Sequence, residues 1–239
     1  MIGITGLGVH LPEGRLTGEE IATIANIPPF VVETKMGIIE KVIAGPNDHP
    51  VEMSVQASRE AIAEAHIDAK DIDVIIYIGE EHKEYPLWTA AIKIQEEIGA
   101  VNAWAFDVQL RCGTTIMAMK VAKSLMQADD SVKTVLLAGG YRNHDFIDYQ
   151  NERTRFMFNL GAGAGAMVLQ KNAGGHEVLE ADLITDGSFS EDVVVPVGGT
   201  KEPLMAEHLR NGRYHLDVLD PEGMKLRLEQ KSLSNFLKN

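Results

Sequence analysis

Cysteine is nearly missing. The 239 residues hold one, Cys112, so no disulfide framework exists, and a reduced compartment, the cytoplasm, is expected. Positive charge is also short. Lys and Arg number 22 against 35 Asp and Glu, a formal net charge of −13, which argues against a general nucleic-acid-binding surface. No apolar run approaches the roughly 20 residues that cross a bilayer, so no membrane association is expected. The opening MIGITGLGVHLPEG has neither the basic segment nor the cleavage pattern of a signal peptide. Apolar residues, by contrast, are not lacking. At 45 % hydrophobic and 24 % charged the composition excludes a disordered chain. The length allows one large domain or two small ones.

Strand and helix signals alternate along the chain. Ile2–His10 is apolar, spaced by glycines and closed by Leu11-Pro12, and reads as a strand. Thr17-Gly-Glu-Glu20 is a capping box, predicting a helix to about Asn26, ahead of Pro28-Pro29. Residues 38–44 suggest a short strand. Residues 51–66 suggest a helix with Val51, Val55, Ile62 and Ala65 on one face. The runs 73–78, 103–108 and 134–138 are continuously apolar, the pattern of strands buried on both faces of a parallel sheet. Leu87, Ala91, Ile94 and Ile98 keep helical spacing between the first two. The fold class is therefore α/β.

Residues 114–126 are almost wholly apolar, with Lys120, Lys123, Ser124 and Gln127 forming one narrow polar stripe. Such a helix is expected to be nearly buried, between two sheets or in a subunit interface. The Gly-Ala alternation at 161–166 leads into Met167-Val168-Leu169 and favours a strand packed closely on its neighbours. Residues 178–185 read as a further strand, Asp186-Gly187 as a turn and 193–197 as a short apolar run. Asp220-Pro221 starts a last helix that is expected to run to Asn239.

Chemistry points first to Cys112, which follows a strand and opens a helix. Helix N-termini carry partial positive charge and free N–H groups, and both stabilise a thiolate. Arg111 adjoins it. A buried inert cysteine is the equal alternative. Eight histidines are present, none in a recognisable partner motif. Glu80, Glu81 and His82 are adjacent and share no face, so no metal site is read there. The glycines at 161–166 lack both the Lys-Ser/Thr of a phosphate loop and the GxGxxG spacing, and close backbone packing explains them better. Arg142, Arg153, Arg155, Lys201, Arg210 and Arg213 are candidates for a local anion patch, each singly a solvated surface charge.

Several stretches together resemble the thiolase superfamily, and within it 3-oxoacyl-acyl-carrier-protein synthase III. They are Ile4-Thr-Gly-Leu-Gly-Val-His-Leu-Pro12, Lys35-Met-Gly37-Ile38, Asp107-Val-Gln-Leu-Arg-Cys112-Gly113, Arg153-Thr154, Gly161-Ala-Gly-Ala-Gly-Ala166 and Asp186-Gly187-Ser188. Their order spans nearly the whole chain. The resemblance implies a layered αβαβα sandwich of two similar halves. The first is complete over residues 1–172, and the second is partial over 173–239. The helix after Cys112 would form the central layer.

The resemblance also implies an acyltransferase of fatty acid biosynthesis. Cys112 would take an acyl group from acyl-CoA. A malonyl group on acyl carrier protein would be decarboxylated, and the carbanion would attack the acyl-enzyme. The Cys112 N–H would supply part of an oxyanion hole. Lys35, standing where the family has Arg, joins Arg111 and Arg153 as candidate substrate-binding residues. The family's adenine-stacking Trp falls near Phe30 or Val31, and ungapped spacing from Gly37 selects Val31. Ala162 stands in place of the family's Asp. Leu110 and Arg111 replace small residues, which implies a narrower or more polar acyl site. No metal is implied, and no cofactor besides acyl-CoA as substrate. The family's His and Asn lie in the second half, beyond residue 239, so an inactive short form belongs to this expectation. A homodimer is implied, built by extending the first half's sheet across a two-fold axis. Two alternatives stay open: a hydroxymethylglutaryl-CoA-synthase-like condensing enzyme, and a non-catalytic thiolase-fold subunit.

Overall fold

The computed structural model describes residues 1–236. In chain order the elements are β1 (Ile2–His10), β2 (Gly14–Thr17), α1 (Gly18–Ala25), β3 (Glu40–Ile43), α2 (Pro50–Glu64), β4 (Val74–Tyr77), α3 (Ala90–Ile98), β5 (Trp104–Asp107), α4 (Thr114–Ala128), β6 (Thr134–Tyr141), β7 (Gly163–Lys171), β8 (Val193–Val194), α5 (Ala206–Arg210), β9 (Asp217–Val218) and α6 (Pro221–Phe236). The chain divides into two compact units. The first comprises Met1–Gly14, Val42–Arg142 and Gly161–Ala181. The second comprises Arg15–Lys41, Asn143–Leu160 and residues from 182 onward.

A five-stranded mixed sheet, in the order β1-β7-β6-β4-β5, organises the first unit. β4 pairs in parallel with both β5 and β6, while β7 pairs antiparallel with β6 and with β1. All four β4 residues are fully buried, because both faces of the sheet are covered. Ile75 and Tyr77 pack into the layer of α2 and α3, and Val74 and Ile76 into the layer of α4. This two-sided burial is why the run 73–78 does not alternate. It contributes about 1.5–3 kcal/mol for each large side chain withdrawn from water.

Helix α2 lies unusually close to β1. A Cβ at Gly8 would stand 1.9 Å from the Ala57 carbonyl oxygen, and one at Gly6 would stand 2.1 Å from that of Ala61. Only glycine lets the helix backbone approach the strand this closely.

The second unit has its own core of Ile21, Ala22, Ala25, Val32, Ile38, Ile147, Met157 and Phe158. Thr17 caps α1 through the reciprocal bonds expected of a capping box, and Asn26 closes the helix in a left-handed conformation. Residues 31–35 form a short wide turn of π type. β8 and β9 pair as a small antiparallel ribbon.

Four sequence expectations need comment. Leu87 does not extend the apolar face of α3. It lies outside the helix in a left-handed conformation, φ 54°, and is exposed. Helix α4 is packed on one face, by Thr114, Ala118, Ala122 and Met126, rather than nearly buried, and Ile116 is half exposed. Residues 178–185 form no strand: contact with β1 goes no further than an isolated bridge between Gly3 and Glu177 and the bond from the Val178 N–H to the Ile2 carbonyl at 2.9 Å. Instead Lys123 donates to the Val178 carbonyl at 3.0 Å and pairs with Glu180, while Lys120 donates to the Ala181 carbonyl. The polar stripe of α4 thus holds this segment by its carbonyls. The end of the last helix, residues 237–239, lies outside the described residues.

Candidate active site

Cys112 sits in the connection from β5 to α4. A single turn, Arg111–Gly113, precedes the helix, whose N-cap is Gly113. The thiol is exposed and unpaired with any other cysteine, so the reading of a buried inert residue does not hold. The backbone turns sharply here. Leu110 has φ −151° and ψ 35°, and Arg111 has φ 49°. Thr114 fastens the turn from within. Its hydroxyl accepts from the Leu110 N–H at 2.8 Å and donates to the Arg111 carbonyl at 2.7 Å. The Gly113 N–H closes on the Leu110 carbonyl at 3.0 Å.

Two ion pairs flank the turn. The Arg111 guanidinium donates to Glu80 at 3.2 Å and to Glu81 at 2.9 Å, and these carboxylates, Glu81 first, hold it more firmly protonated. Asp107, at the end of β5, accepts from the Ala90 and Ala91 N–H groups at the start of α3, and pairs with Lys83. Lys83 also lies over the ring of Tyr77, 5.1 Å from its centroid. Burial, reinforced by Glu84, Asp107 and Glu80, raises the Tyr77 phenol far above its ordinary range, and its hydroxyl donates to the Gly140 carbonyl. Glu84 caps α2 from outside, accepting from the Val51 N–H at 2.8 Å. Residues 80–84 thereby bind the Cys112 turn, α3 and α2 together.

Motif reading had not assigned roles to Thr114, Lys83 or the pair Glu80 and Glu81. Topology is the signal that finds them. β4 and β5 are parallel neighbours, so the loops leaving their C-terminal ends meet.

The other candidates lie in the second unit. Lys35 is exposed, with its ammonium 5.4 Å above the half-exposed ring of Phe30. Arg153 holds Asp217 in a two-point pair, at 2.9 and 2.6 Å, and Asn151 donates to the same carboxylate. Arg153 lines a cavity of about 430 Å³ with Asp148, Arg213 and His215. Of the remaining anion-patch candidates, Arg213 lines the same cavity and Arg210 ends α5, and the others are held by their own neighbours. Arg142 donates to the Gly45 and Asp48 carbonyls, Arg155 pairs with Glu152, Lys201 with Glu191 and Arg213 with Glu202.

The profile of the family 3-oxoacyl-[acyl-carrier-protein (ACP)] synthase III matches residues 106–187, the stretch that holds Cys112. A beta-ketoacyl-[acyl-carrier-protein] synthase III of Roseiflexus castenholzii is 31 % identical over 233 residues, covering 98 % of this chain and 69 % of that protein. One from Symbiobacterium thermophilum is 29 % identical over 224 residues, covering 94 % and 67 %. Among solved structures, a crystal structure of 3-oxoacyl-(acyl-carrier-protein) synthase III superposes with a TM-score of 0.80 at 25 % identity, covering 96 % of this chain and 71 % of that one. The Aquifex aeolicus enzyme gives a TM-score of 0.76 at 25 % identity, covering 95 % and 67 %. The thiolase-like layered α/β fold expected from the sequence is the fold of these structures.

Proposed function

The chain belongs to the beta-ketoacyl-[acyl-carrier-protein] synthase III family, and on that premise we propose that it transfers an acyl group through Cys112. The observation that carries this reading is the placement of Cys112: an exposed thiol on a fastened strand-to-helix turn, one residue ahead of the N-cap of α4. N–H groups at a helix start have no carbonyl partner four residues back, and their partial positive charge favours thiolate over thiol.

The first step is attack of the thiolate on the thioester carbonyl of an acyl-CoA. The carbonyl oxygen becomes an oxyanion, with the Cys112 N–H among its donors. CoA then leaves as the thiolate and takes up a proton from solvent, and the acyl group stays on Sγ. Condensation with malonyl-acyl carrier protein, with loss of carbon dioxide, is the second half of the proposed reaction, placing the protein in fatty acid biosynthesis in the cytoplasm. Lys35 over Phe30 offers a flat apolar surface beside a cation, suited to a nucleotide. Arg153 would exchange Asp217 for a phosphate. Arg111 would border the acyl group. A division into a first thiolase-like half over residues 1–172 and the start of a second over 173–239 belongs to this reading, as does a homodimer. Among the described residues no helix is long and apolar enough to cross a membrane.

The test is intact mass after incubation with a panel of acyl-CoAs, for the wild type and Cys112→Ala. One adduct of acyl mass, absent from the variant, is expected. If no donor gives an adduct while iodoacetamide still alkylates Cys112, the thiol is accessible but is not an acyl acceptor, and the reading fails. With an adduct in hand, dependence of the second step on malonyl-acyl carrier protein separates this reaction from a hydroxymethylglutaryl-CoA-synthase-like one.

A further inference from the structure

Arg111 stands in a conformation its residue type disfavours. With φ 49° it is left-handed, at a cost of about 1–2 kcal/mol for a residue with a Cβ. The residue before it, Leu110, is also off the common regions. Two unusual residues in a row mean that the surroundings hold the turn in place. The Thr114 hydroxyl accounts for part of that, through Leu110 N–H and the Arg111 carbonyl. The rest falls to the Arg111 side chain, whose two hydrogen-bonding partners are the carboxylates of Glu80 and Glu81.

Those partners stand on a firm base. The same loop grips Asp107 through Lys83, and the α2 N-terminus through Glu84. The Cys112 turn is therefore tied to one loop at both ends, at Asp107 before it and at Arg111 beside the thiol. Two carboxylates also outweigh one guanidinium. An arginine placed to lend its charge to a thiolate would not be neutralised in this way.

We propose that Arg111 is a positioning residue: its ion pair with Glu80 and Glu81 holds residue 111 left-handed and so sets Cys112 at the mouth of α4. This deepens the reading of Cys112 as the acyl acceptor and rests on it. Arg111 acts through the backbone, and its charge is spent on Glu80 and Glu81.

The experiment uses the full chain, whose single cysteine gives a single adduct. The rate of alkylation of Cys112 by iodoacetamide is followed between about pH 6 and pH 10, a range bracketing an ordinary thiol, to read the apparent thiol pKa. The variants are Arg111→Gly, Arg111→Ala, Arg111→Lys and the double Glu80→Gln/Glu81→Gln, each checked for an unchanged thermal midpoint. Glycine takes the left-handed conformation unaided, so Arg111→Gly is expected to keep the wild-type profile. Arg111→Ala loses the clamp and keeps the strain, so its apparent pKa is expected to rise by about half a unit or more as Cys112 drifts from the helix start. The double Gln variant is expected to rise with it.

A charge role gives the opposite pattern and overturns the proposal. Gly and Ala would then behave alike, Lys would restore the profile, and the double Gln variant would fall in pKa as Arg111 is released. Alkylation needs no acyl donor. A chain that takes no acyl group from any acyl-CoA defeats the functional reading, while the ordering of Gly against Ala still decides the role of Arg111.

Discussion

Lys41 is a lysine drawn almost wholly out of water, with 8 % of its surface exposed. Its ammonium donates to the carbonyls of Phe158 at 2.8 Å and Leu160 at 2.6 Å, and lies 5.0 Å from the centroid of the Tyr149 ring. Carbonyls and a ring replace hydration only in part, and burial pushes the ammonium down to about 8. The sign follows from proton counts. Between that value and the ordinary 10.5, an unfolded chain binds a proton that the folded one has released, so this residue makes stability rise with pH across the window. Above pH 10 Tyr149, pushed up to about 12 by burial, works in the other direction. The expected result is a gain of about 1–2 kcal/mol between pH 7.5 and 9.5 in the wild type, relative to Lys41→Met. Urea unfolding of both proteins at both pH values measures it, and parallel pH dependences would show that Lys41 is hydrated after all. None of this was legible in the sequence. The run 38–44 announces a short strand, but the carbonyls that receive Lys41 lie 117 and 119 residues further on.

At the scale of elements, the contact of α2 with β1 makes a sharp prediction. Gly8→Ala places a methyl 1.9 Å from the Ala57 carbonyl oxygen, backbone against backbone, where neither side can rotate away. A loss of about 1–3 kcal/mol is expected from the forced separation of helix and strand. Gly165→Ala is the control. It sits opposite Val9 on the neighbouring strand β7, and its nearest obstacle is 3.9 Å away, so a change within about 0.5 kcal/mol is expected. Equal urea midpoints for the two variants would mean that α2 yields without cost. The glycine spacing of Ile2–His10 was visible from the start, as were the buried runs that became β4 and β6, because two-sided burial writes itself into composition; the run 103–108 reads the same way but forms β5, an edge strand whose residues are half-buried or exposed. Elements whose pattern depends on a second covering layer were less readable. The apolar girth of α4 and the run 178–185 both demand partners beyond the five-stranded sheet, and among the described residues only the Thr114, Ala118, Ala122 and Met126 face of α4 is buried. The Cys112 turn was legible by position, and its fastening by Thr114, Glu80 and Glu81 was not, since those groups meet only when β4 and β5 lie side by side.

At the scale of the whole molecule, the five-stranded sheet treats its two ends differently. The outer N–H groups of β1 are spoken for. Ile4 donates to the His176 carbonyl at 2.9 Å, Val9 donates to Glu60 at 3.0 Å, and Leu7 donates to Glu64. Carboxylates from α2 thus stopper an edge that exposed Leu7 and Val9 would otherwise make adhesive. β5, at the other end, has no strand along its outer side among the described residues. It presents Trp104, 51 % exposed and stacked on Phe106 at 5.2 Å, with Val101 exposed just before it. One edge is closed to strand addition and the other is open and aromatic, which favours a second copy of the chain pairing at β5 to form the proposed homodimer. Sedimentation velocity of the wild type is expected to show a dimer. Trp104→Lys puts a charge on the open edge at a site exposed in the single chain, so it should release monomers without lowering the thermal midpoint by more than about 2–4 °C. The double variant Glu60→Ala/Glu64→Ala removes the stoppers from β1, and a chain with two open edges should run on into higher oligomers. A wild-type monomer, or a Trp104→Lys protein that stays dimeric, would place the interface elsewhere. The double variant then still tells whether the carboxylates guard β1, because loss of the stoppers acts at the opposite end of the sheet from Trp104.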